Sequence, residues 1–186
     1  MEEIKKTLLK VHRFSDEEVN ALIEKTHHKI LSKGDFLLKA GQHCRFLAFV
    51  QTGSLRFYSK TDANELTLHF FTEYVWLTDY DSLITQQPSD NYLQALERTE
   101  VFMITLDDVH LLLEQFPDFR NLLKLLDQSI ITAKHLKSIS GSTPDERYKL
   151  LLQTHPEWVY RFPQMHIASY LGMTKETFSR VKARIK

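Results

Sequence analysis

The C-terminal part of the chain carries polar side chains on one face of an apparent helix. Phe178, Val181 and Ile185 recur at intervals of three and four residues, which is typical of an amphipathic helix. Six side chains on the other face can bind nucleotide bases or phosphates: Thr174, Lys175, Glu176, Ser179, Arg180 and Lys182. Arginine can donate two hydrogen bonds to guanine, and glutamate can accept one from cytosine. We therefore predict a helix that binds double-stranded DNA.

A short apolar helix and a tight turn precede this face. Ile167, Ala168 and Leu171 would form its buried side, and the small Ala168 permits a close helix crossing. Gly172 can adopt the positive φ of a tight turn, and Thr174 is suited to cap the next helix. This order is typical of a helix-turn-helix, whose second helix lies in the major groove. The alternative is a plain helical hairpin with a solvated charged face.

The charge distribution favours the same end of the chain. The net charge is zero, but residues 1–112 carry 12 Lys/Arg and 17 Asp/Glu, a net charge of −5. Residues 139–186 carry 8 and 4, a net charge of +4. A basic terminal segment beside an acidic one is compatible with contact to a phosphate backbone.

The sequence lacks the motifs that are typical of several other classes of protein. The single Cys44 cannot build a disulfide framework or a cysteine-ligated metal centre, and no His-x-His pair, phosphate-binding loop or nucleophile motif occurs. We therefore expect no metal, no cofactor and no enzyme activity, although a metal-binding enzyme barrel is the formal alternative. The charged N-terminus and the lack of an apolar stretch of about 20 residues predict a cytoplasmic protein that does not enter membranes.

The first two thirds of the chain predict a helical start followed by a small β-domain. Residues 2–32 have helical periodicity, with Ser15 as an N-cap. Short β-type runs separated by turns then predict strands at residues 36–38, 46–50, 55–58, 66–71, 92–96 and 101–104. Asp107 is the expected N-cap of the helix that follows. Together these features predict an α+β fold with a sensor domain over residues 1–112.

A long amphipathic helix is predicted to begin at Pro117. Its apolar positions repeat over about three heptads, a pattern typical of helices that pair between subunits. The expected dimer contacts are Phe119, Leu122, Leu123, Leu126, Ile130 and Ala133. Packing on the chain's own β-domain is the alternative. We assign residues 113–140 to this helix and residues 141–186 to the helix-turn-helix domain.

The chain resembles the Crp/Fnr family of bacterial transcription regulators in two segments. Residues 167–180, IASYLGMTKETFSR, are similar to the family's recognition unit, and residues 46–56, FLAFVQTGSLR, to its strand–Gly-turn–strand. The resemblance implies an N-terminal double-stranded β-helix or jelly roll of the cyclic-nucleotide-binding type, a dimerisation helix and a winged-helix-like C-terminal domain. It also implies a homodimer on palindromic DNA, base contacts at Lys175, Glu176 and Arg180, and RNA polymerase as a candidate partner.

The family's ligand clamp is altered in this chain. Cyclic-nucleotide binders place a Gly-Glu pair where this sequence has Thr78-Asp79, and an arginine where it has Ser89. A phosphate buried without a cation beside an acid is costly, so we expect that cAMP does not bind. The alternative is that the domain binds a small-molecule effector other than cAMP. Its candidate lining residues are Trp76, Asp79, Tyr80, Ser89, Asp90 and Tyr92.

The sequence given ends at Lys186, directly after the predicted recognition helix, without an evident β-hairpin wing. Because such a wing touches the DNA backbone in many family members, its lack would reduce the number of phosphate contacts. The competing hypothesis for the whole chain is a small-molecule-sensing or protein-interaction module with vestigial DNA binding.

Overall fold

The structure is a computed structural model that describes residues 1–61, 64–126 and 141–185. Two helices come first, α1 (Glu2–Val11) and α2 (Asp16–Glu24). Ser15 caps α2 as predicted: its hydroxyl accepts a hydrogen bond from the Glu18 N–H, and the Glu18 carboxylate accepts one from the Ser15 N–H. This reciprocal capping satisfies backbone donors that would otherwise lack partners at the helix start.

Two four-stranded antiparallel sheets follow. The described residues form the strands β1 (His27–Leu31), β2 (Phe36–Leu38), β3 (Phe46–Thr52), β4 (Leu55–Lys60), β5 (Glu65–Phe71), β6 (Trp76–Leu77), β7 (Asn91–Ala95) and β8 (Thr99–Thr105). One sheet has the order β1-β8-β3-β6 and the other β2-β7-β4-β5. A short helix, α3 (Tyr80–Thr85), lies between β6 and β7. The predicted α+β fold with an N-terminal jelly roll is confirmed.

The space between the two sheets is filled by apolar side chains. Alternate residues of the strands point inward, as the period of a β-strand requires. Leu55, Leu93 and Val101 are fully buried there, and Leu38 is 2% exposed. The inner cluster also includes Cys44, whose thiol has a pKa raised by burial. The cysteine is therefore a core residue, as expected from its small apolar character.

The prediction of helical structure over residues 2–32 is wrong for residues 27–31. Residues His27–Leu31 form β1 and pair antiparallel with β8, with His27 opposite Met103. Four of the five β1 residues are exposed, so local periodicity carries little information about this strand. Pairing with a strand some 70 residues away, rather than local preference, determines its conformation.

The helix after β8 begins two residues earlier than expected. Helix α4 (Leu106–Gln115) is capped by Thr105, whose hydroxyl accepts a hydrogen bond from the Asp108 N–H at 3.1 Å. The prediction of Asp107 as the cap is therefore wrong. Threonine and aspartate are both good caps, and here the end of β8 places Thr105 at the correct backbone angle.

A 3₁₀ helix, Pro117–Leu126, follows α4. Its Phe119 and Leu122 are 1% and 2% exposed and pack against the N-terminal helices, where the rings of Phe119 and Phe14 stack at 5.3 Å. These two residues therefore pack within their own chain, and their predicted contact with a second subunit stays a prediction. The other predicted dimer contacts have side chains outside the described residues: Leu123, Leu126, Ile130 and Ala133.

The C-terminal domain consists of four helices in its described part. They are α5 (Pro144–Thr154), α6 (Trp158–Arg161), α7 (Gln164–Tyr170) and α8 (Lys175–Arg184). Their shared core contains Trp158, Ile167 and Phe178, each at most 2% exposed. Thr143 caps α5 with a reciprocal bond to Glu146, and Pro144 occupies its first position. The shared apolar core packs these helices against one another.

Helix α7 lies along the free edge of strand β5. The Ser169 hydroxyl accepts a hydrogen bond from the Thr67 N–H at 2.8 Å and donates one to the Glu65 carbonyl at 2.7 Å. Phe70 of β5 is 1% exposed and stacks on Phe162 at 4.4 Å, within the core of the C-terminal domain. The edge strand of the sheet β2-β7-β4-β5 is therefore covered by the C-terminal domain.

Arg161 is a second connection between the two domains. Its guanidinium contacts the Glu73 carboxylate at 2.5 Å and the Glu97 carboxylate at 2.7 Å, and donates to the Gly53 carbonyl at 3.2 Å. The arginine lowers the pKa of Glu73 and has its own pKa raised by the same contact. The Ser54 hydroxyl also donates to Glu97 at 2.6 Å. We call this group, Gly53, Ser54, Glu73, Glu97 and Arg161, the interdomain clamp.

None of the helices in the described part of the chain has the length and apolarity that crossing a bilayer requires.

Candidate nucleic-acid interface and ligand pocket

Helix α8 presents the predicted polar face to solvent. Its opposite face is anchored by Phe178 and Val181, which are each 1% exposed. The six residues predicted to bind DNA lie on the surface: Thr174, Lys175, Glu176, Ser179 and Arg180 are exposed, and Lys182 is half-buried. The polar side chains are therefore carried by a helix whose rotation is fixed by its buried side.

Thr174 has a structural role as well as a candidate binding role. Its hydroxyl accepts a hydrogen bond from the Thr177 N–H at 3.2 Å and so caps α8. Glu176 lies in the first turn, where a bond from its own backbone N–H and one from Thr174 lower the pKa of its carboxyl, with Lys175 and Arg180 adding to the effect. At neutral pH Glu176 is an ionised acceptor, as a contact to cytosine requires.

The turn before α8 is held by a residue that the sequence did not indicate. Gly172 has φ +61°, the left-handed conformation expected for this turn. Arg147 of α5 donates to the carbonyls of Leu171 at 2.6 Å and Gly172 at 3.3 Å. It thereby pairs carbonyl groups at the end of α7. Arg147 is a positioning residue, and its position 24 residues before Leu171 gave no local signal.

Sequence reasoning also missed a second arginine beside Arg180. A depression of about 210 Å³ lies between the start of α5 and α8. Its lining consists of Thr143, Pro144, Asp145, Thr177, Arg180, Val181 and Arg184. The Arg184 guanidinium pairs with the Asp145 carboxylate. The spacing of four residues from Arg180 could have indicated that Arg184 shares its side of the helix.

Two of the six predicted pocket residues are in direct contact. Asp79 and Ser89 are 2% and 4% exposed, and the Ser89 hydroxyl donates to the Asp79 carboxylate at 2.5 Å. Asn91 donates to the same carboxylate oxygen at 3.2 Å, and the other oxygen accepts a bond from the Ser82 N–H at the start of α3. The family resemblance assigns a phosphate-binding arginine to position 89. In this chain the Ser89 side chain at that position instead forms a hydrogen bond within the protein.

The other four candidates do not join this pair. Trp76 is 3% exposed, and its ring N–H donates to the Thr7 hydroxyl at 3.1 Å in the core beneath α1. Tyr92 is half-buried and stacks on Tyr58 at 5.0 Å. Tyr80 and Asp90 are exposed. The six residues therefore do not line one common cavity wall.

Metal ligation has no candidate centre in the part of the chain that the structure describes. No three His, Cys, Asp or Glu side chains come close enough there to hold an ion.

Comparisons with known proteins support the same fold and family. The cyclic nucleotide-binding domain model matches residues 28–116. The chain is 29% identical over 172 residues to the transcriptional activator protein Anr of Pseudomonas aeruginosa, covering 84% of this chain and 69% of that protein. It is also 29% identical over 174 residues to the transcriptional activator protein FnrA of Stutzerimonas stutzeri, with the same coverage.

A solved structure agrees over almost the full length of the chain. The c-di-GMP-responsive global regulator CLP of Xanthomonas campestris superposes with a TM-score of 0.74 at 15% identity, covering 92% of this chain and 91% of that one. The likeness thus includes both the jelly roll and the C-terminal helices. With the domain match and the two activator relatives, the chain is similar to Crp/Fnr-type transcription regulators in both its β-domain and its C-terminal helices.

Proposed function

We propose that the protein is a transcription regulator that binds specific DNA sequences through helix α8. The observation that carries the proposal is the solvent-facing set Lys175, Glu176 and Arg180 on a helix whose other face is buried. A helix of this kind, following a tight turn, is suited to enter a major groove. The relatives named as transcriptional activators support the same function.

Each polar side chain of α8 has a role suited to its chemistry. Arg180 would donate two hydrogen bonds to a guanine, and Glu176 would accept one from a cytosine amino group. Lys175 lies in the first turn, close to the bases. Thr174, Ser179 and Lys182 would bind phosphates and set the register of the helix on the duplex.

The regulator would act as a homodimer on a palindromic site. Leu123, Leu126, Ile130 and Ala133 are predicted dimer contacts together with Phe119 and Leu122, which also pack within their own chain. Two recognition helices related by a twofold axis would bind half-sites about 34 Å apart. In this proposal residues 1–112 sense, residues 113–140 dimerise and residues 141–186 bind DNA.

The sensor domain would respond to a signal other than cAMP, or to none. The Asp79 carboxylate already accepts hydrogen bonds from Ser89 and Asn91, and Ser89 supplies no positive charge for a phosphate. An activator of this type would also contact RNA polymerase while it is bound to DNA.

Selection of binding sites from a random duplex library tests the DNA proposal. The wild-type chain should enrich a palindrome, and Arg180→Ala should weaken binding to it by about 1–3 kcal/mol and relax one base position in each half-site. Arg13→Ala, at an exposed arginine between α1 and α2, is the matched control and should select the wild-type sequence. Enrichment of the same sequences by Arg180→Ala would contradict the assignment. No enrichment by the wild type would favour a sensing module without DNA binding.

Sedimentation of the full chain tests the dimer. Ile130→Lys would place a charge at a predicted apolar contact and should shift the protein toward the monomer. A wild-type chain that sediments as a monomer at micromolar concentration would contradict this part of the proposal.

A further inference from the structure

Arg184 and Asp145 form an ion pair across the depression between α5 and α8. Their side chains are 62% and 37% exposed, so both partners remain in contact with solvent. Exposed ion pairs contribute little to stability because water and salt screen them. The arginine can therefore exchange this carboxylate for another anion at small cost.

The position of Arg184 suggests which anion that is. Arg180 and Arg184 both line the depression and are separated by one helical turn, which is about 6 Å along the axis. The first turns of a recognition helix meet the base edges. A side chain one turn further along the helix then lies near the margin of the groove, where the phosphates run.

We propose that Arg184 binds a DNA phosphate and that Asp145 occupies this arginine when no DNA is present. The inference rests on the proposed binding of DNA by α8. When a duplex docks, the phosphate replaces the Asp145 carboxylate at the guanidinium. The displaced carboxylate stays close to the phosphate and repels it. The free-energy cost of this repulsion is the same for every DNA sequence. Asp145 thus lowers affinity for all DNA and leaves discrimination to Arg180 and Glu176.

Binding of the full chain to two fluorescent duplexes at several salt concentrations tests this proposal. One duplex carries the selected palindrome, and the other has the same composition in scrambled order. Arg184→Ala should weaken binding to both duplexes roughly two- to fivefold. It should also reduce the slope of log affinity against log salt by about 0.9, the value for one lost phosphate contact. The ratio of the two affinities should not change.

The acidic partner gives the opposite result in the same assay. Asp145→Asn should strengthen binding to both duplexes roughly two- to fivefold. Asp16→Asn is the matched control, because it removes the same charge from the exposed Lys5–Asp16 pair, which lies in the N-terminal helices. When Arg184→Ala is already present, the gain from Asp145→Asn should fall to that of Asp16→Asn.

Two outcomes would overturn the inference: wild-type affinity and salt slope in Arg184→Ala, or a gain in Asp145→Asn no larger than in Asp16→Asn. Failure of the proposed function has a different signature, since the wild-type chain would then bind the two duplexes equally or not at all. Thermal unfolding of each variant shows whether a loss of affinity comes from a loss of folding. The variant Arg184→Lys keeps the positive charge and should therefore retain most of the dependence of affinity on salt.

Discussion

The Ser169 hydroxyl accepts a hydrogen bond from the backbone N–H of Thr67 at 2.8 Å. Ser169 belongs to the first helix of the helix-turn-helix, and Thr67 belongs to the edge strand of the sheet β2-β7-β4-β5. The same hydroxyl donates to the Glu65 carbonyl, so a single side chain satisfies a donor and an acceptor of an otherwise free strand edge. The orientation of the C-terminal domain is thus tied directly to the β-domain.

Ser169→Ala should lower the free energy of unfolding by about 1–2 kcal/mol. The change removes both hydrogen bonds and leaves the Thr67 N–H and the Glu65 carbonyl without their partner at a covered edge. Urea unfolding measures the effect. Ser179→Ala, an exposed serine on α8, is the control and should stay within about 0.5 kcal/mol of the wild type. Equal stability of the two variants would show that the Ser169 bonds contribute nothing.

Arg161→Met should destabilise the protein by about 1–3 kcal/mol at low salt, because it removes charge-assisted hydrogen bonds to Glu73 and Glu97. The loss should shrink in high salt, where the clamp is screened. Arg161→Lys should restore only part of it, since an ammonium cannot bridge two carboxylates as the planar guanidinium does. Arg98→Met, at the more exposed Arg98–Glu100 pair, is the matched control with an expected loss near zero. A loss as large in Arg98→Met would contradict a special role for the clamp.

Stability should fall as the pH drops from about 6.5 toward 4, partly because of His166. Burial, with the nearby Arg56 cation, lowers the pKa of His166 to about 4. The unfolded chain protonates this ring at a pH near 6.5, so within that window it binds more protons than the folded chain and unfolding is favoured.

His166→Gln should therefore reduce the loss of stability between pH 7.5 and pH 4.5 by about 1–2 kcal/mol, less than the full shift implies because the ring is partly exposed. Carboxyl groups with lowered pKa, such as Glu73, act mainly below pH 4.5 and are common to both proteins. Urea unfolding of the wild type and the variant at the two pH values measures the difference. Parallel pH profiles would mean that His166 takes up its proton at the same pH in the folded and the unfolded chain.

Calorimetric titration of the full chain with cAMP should give no binding heat. A cyclic phosphate near Ser89 would meet the Asp79 carboxylate, which is 2% exposed and has no adjacent cation among its hydrogen-bond partners in the described structure. The cost of burying an unpaired anion beside another exceeds what the remaining ribose contacts can return. Micromolar binding would show that the pocket rearranges around the ligand.

Local signals predicted the structure of the C-terminal helices well. The Gly172 turn and the cap at Thr174 depend on residues three positions apart or closer, and each appears in the structure as expected. The six polar residues of α8 follow from the same helical period. Their binding to DNA remains a prediction.

Features set by distant contacts were not predictable. Strand β1 forms only because β8 lies beside it, and Phe119 is buried because α1 and α2 cover it. Arg161 finds Glu73 and Glu97 across 88 and 64 residues of sequence. The change at Ser89 was visible in the sequence, but its hydrogen bond to Asp79 required the fold.

Helix α7 covers the edge of strand β5, and loss of this cover would promote aggregation of the protein. If α7 left this edge, unpaired backbone groups and the side chain of Phe70 would face water together. Such an edge is a template for strand addition from another molecule. Variants that loosen the contact between the two domains should therefore accumulate as insoluble aggregates during expression.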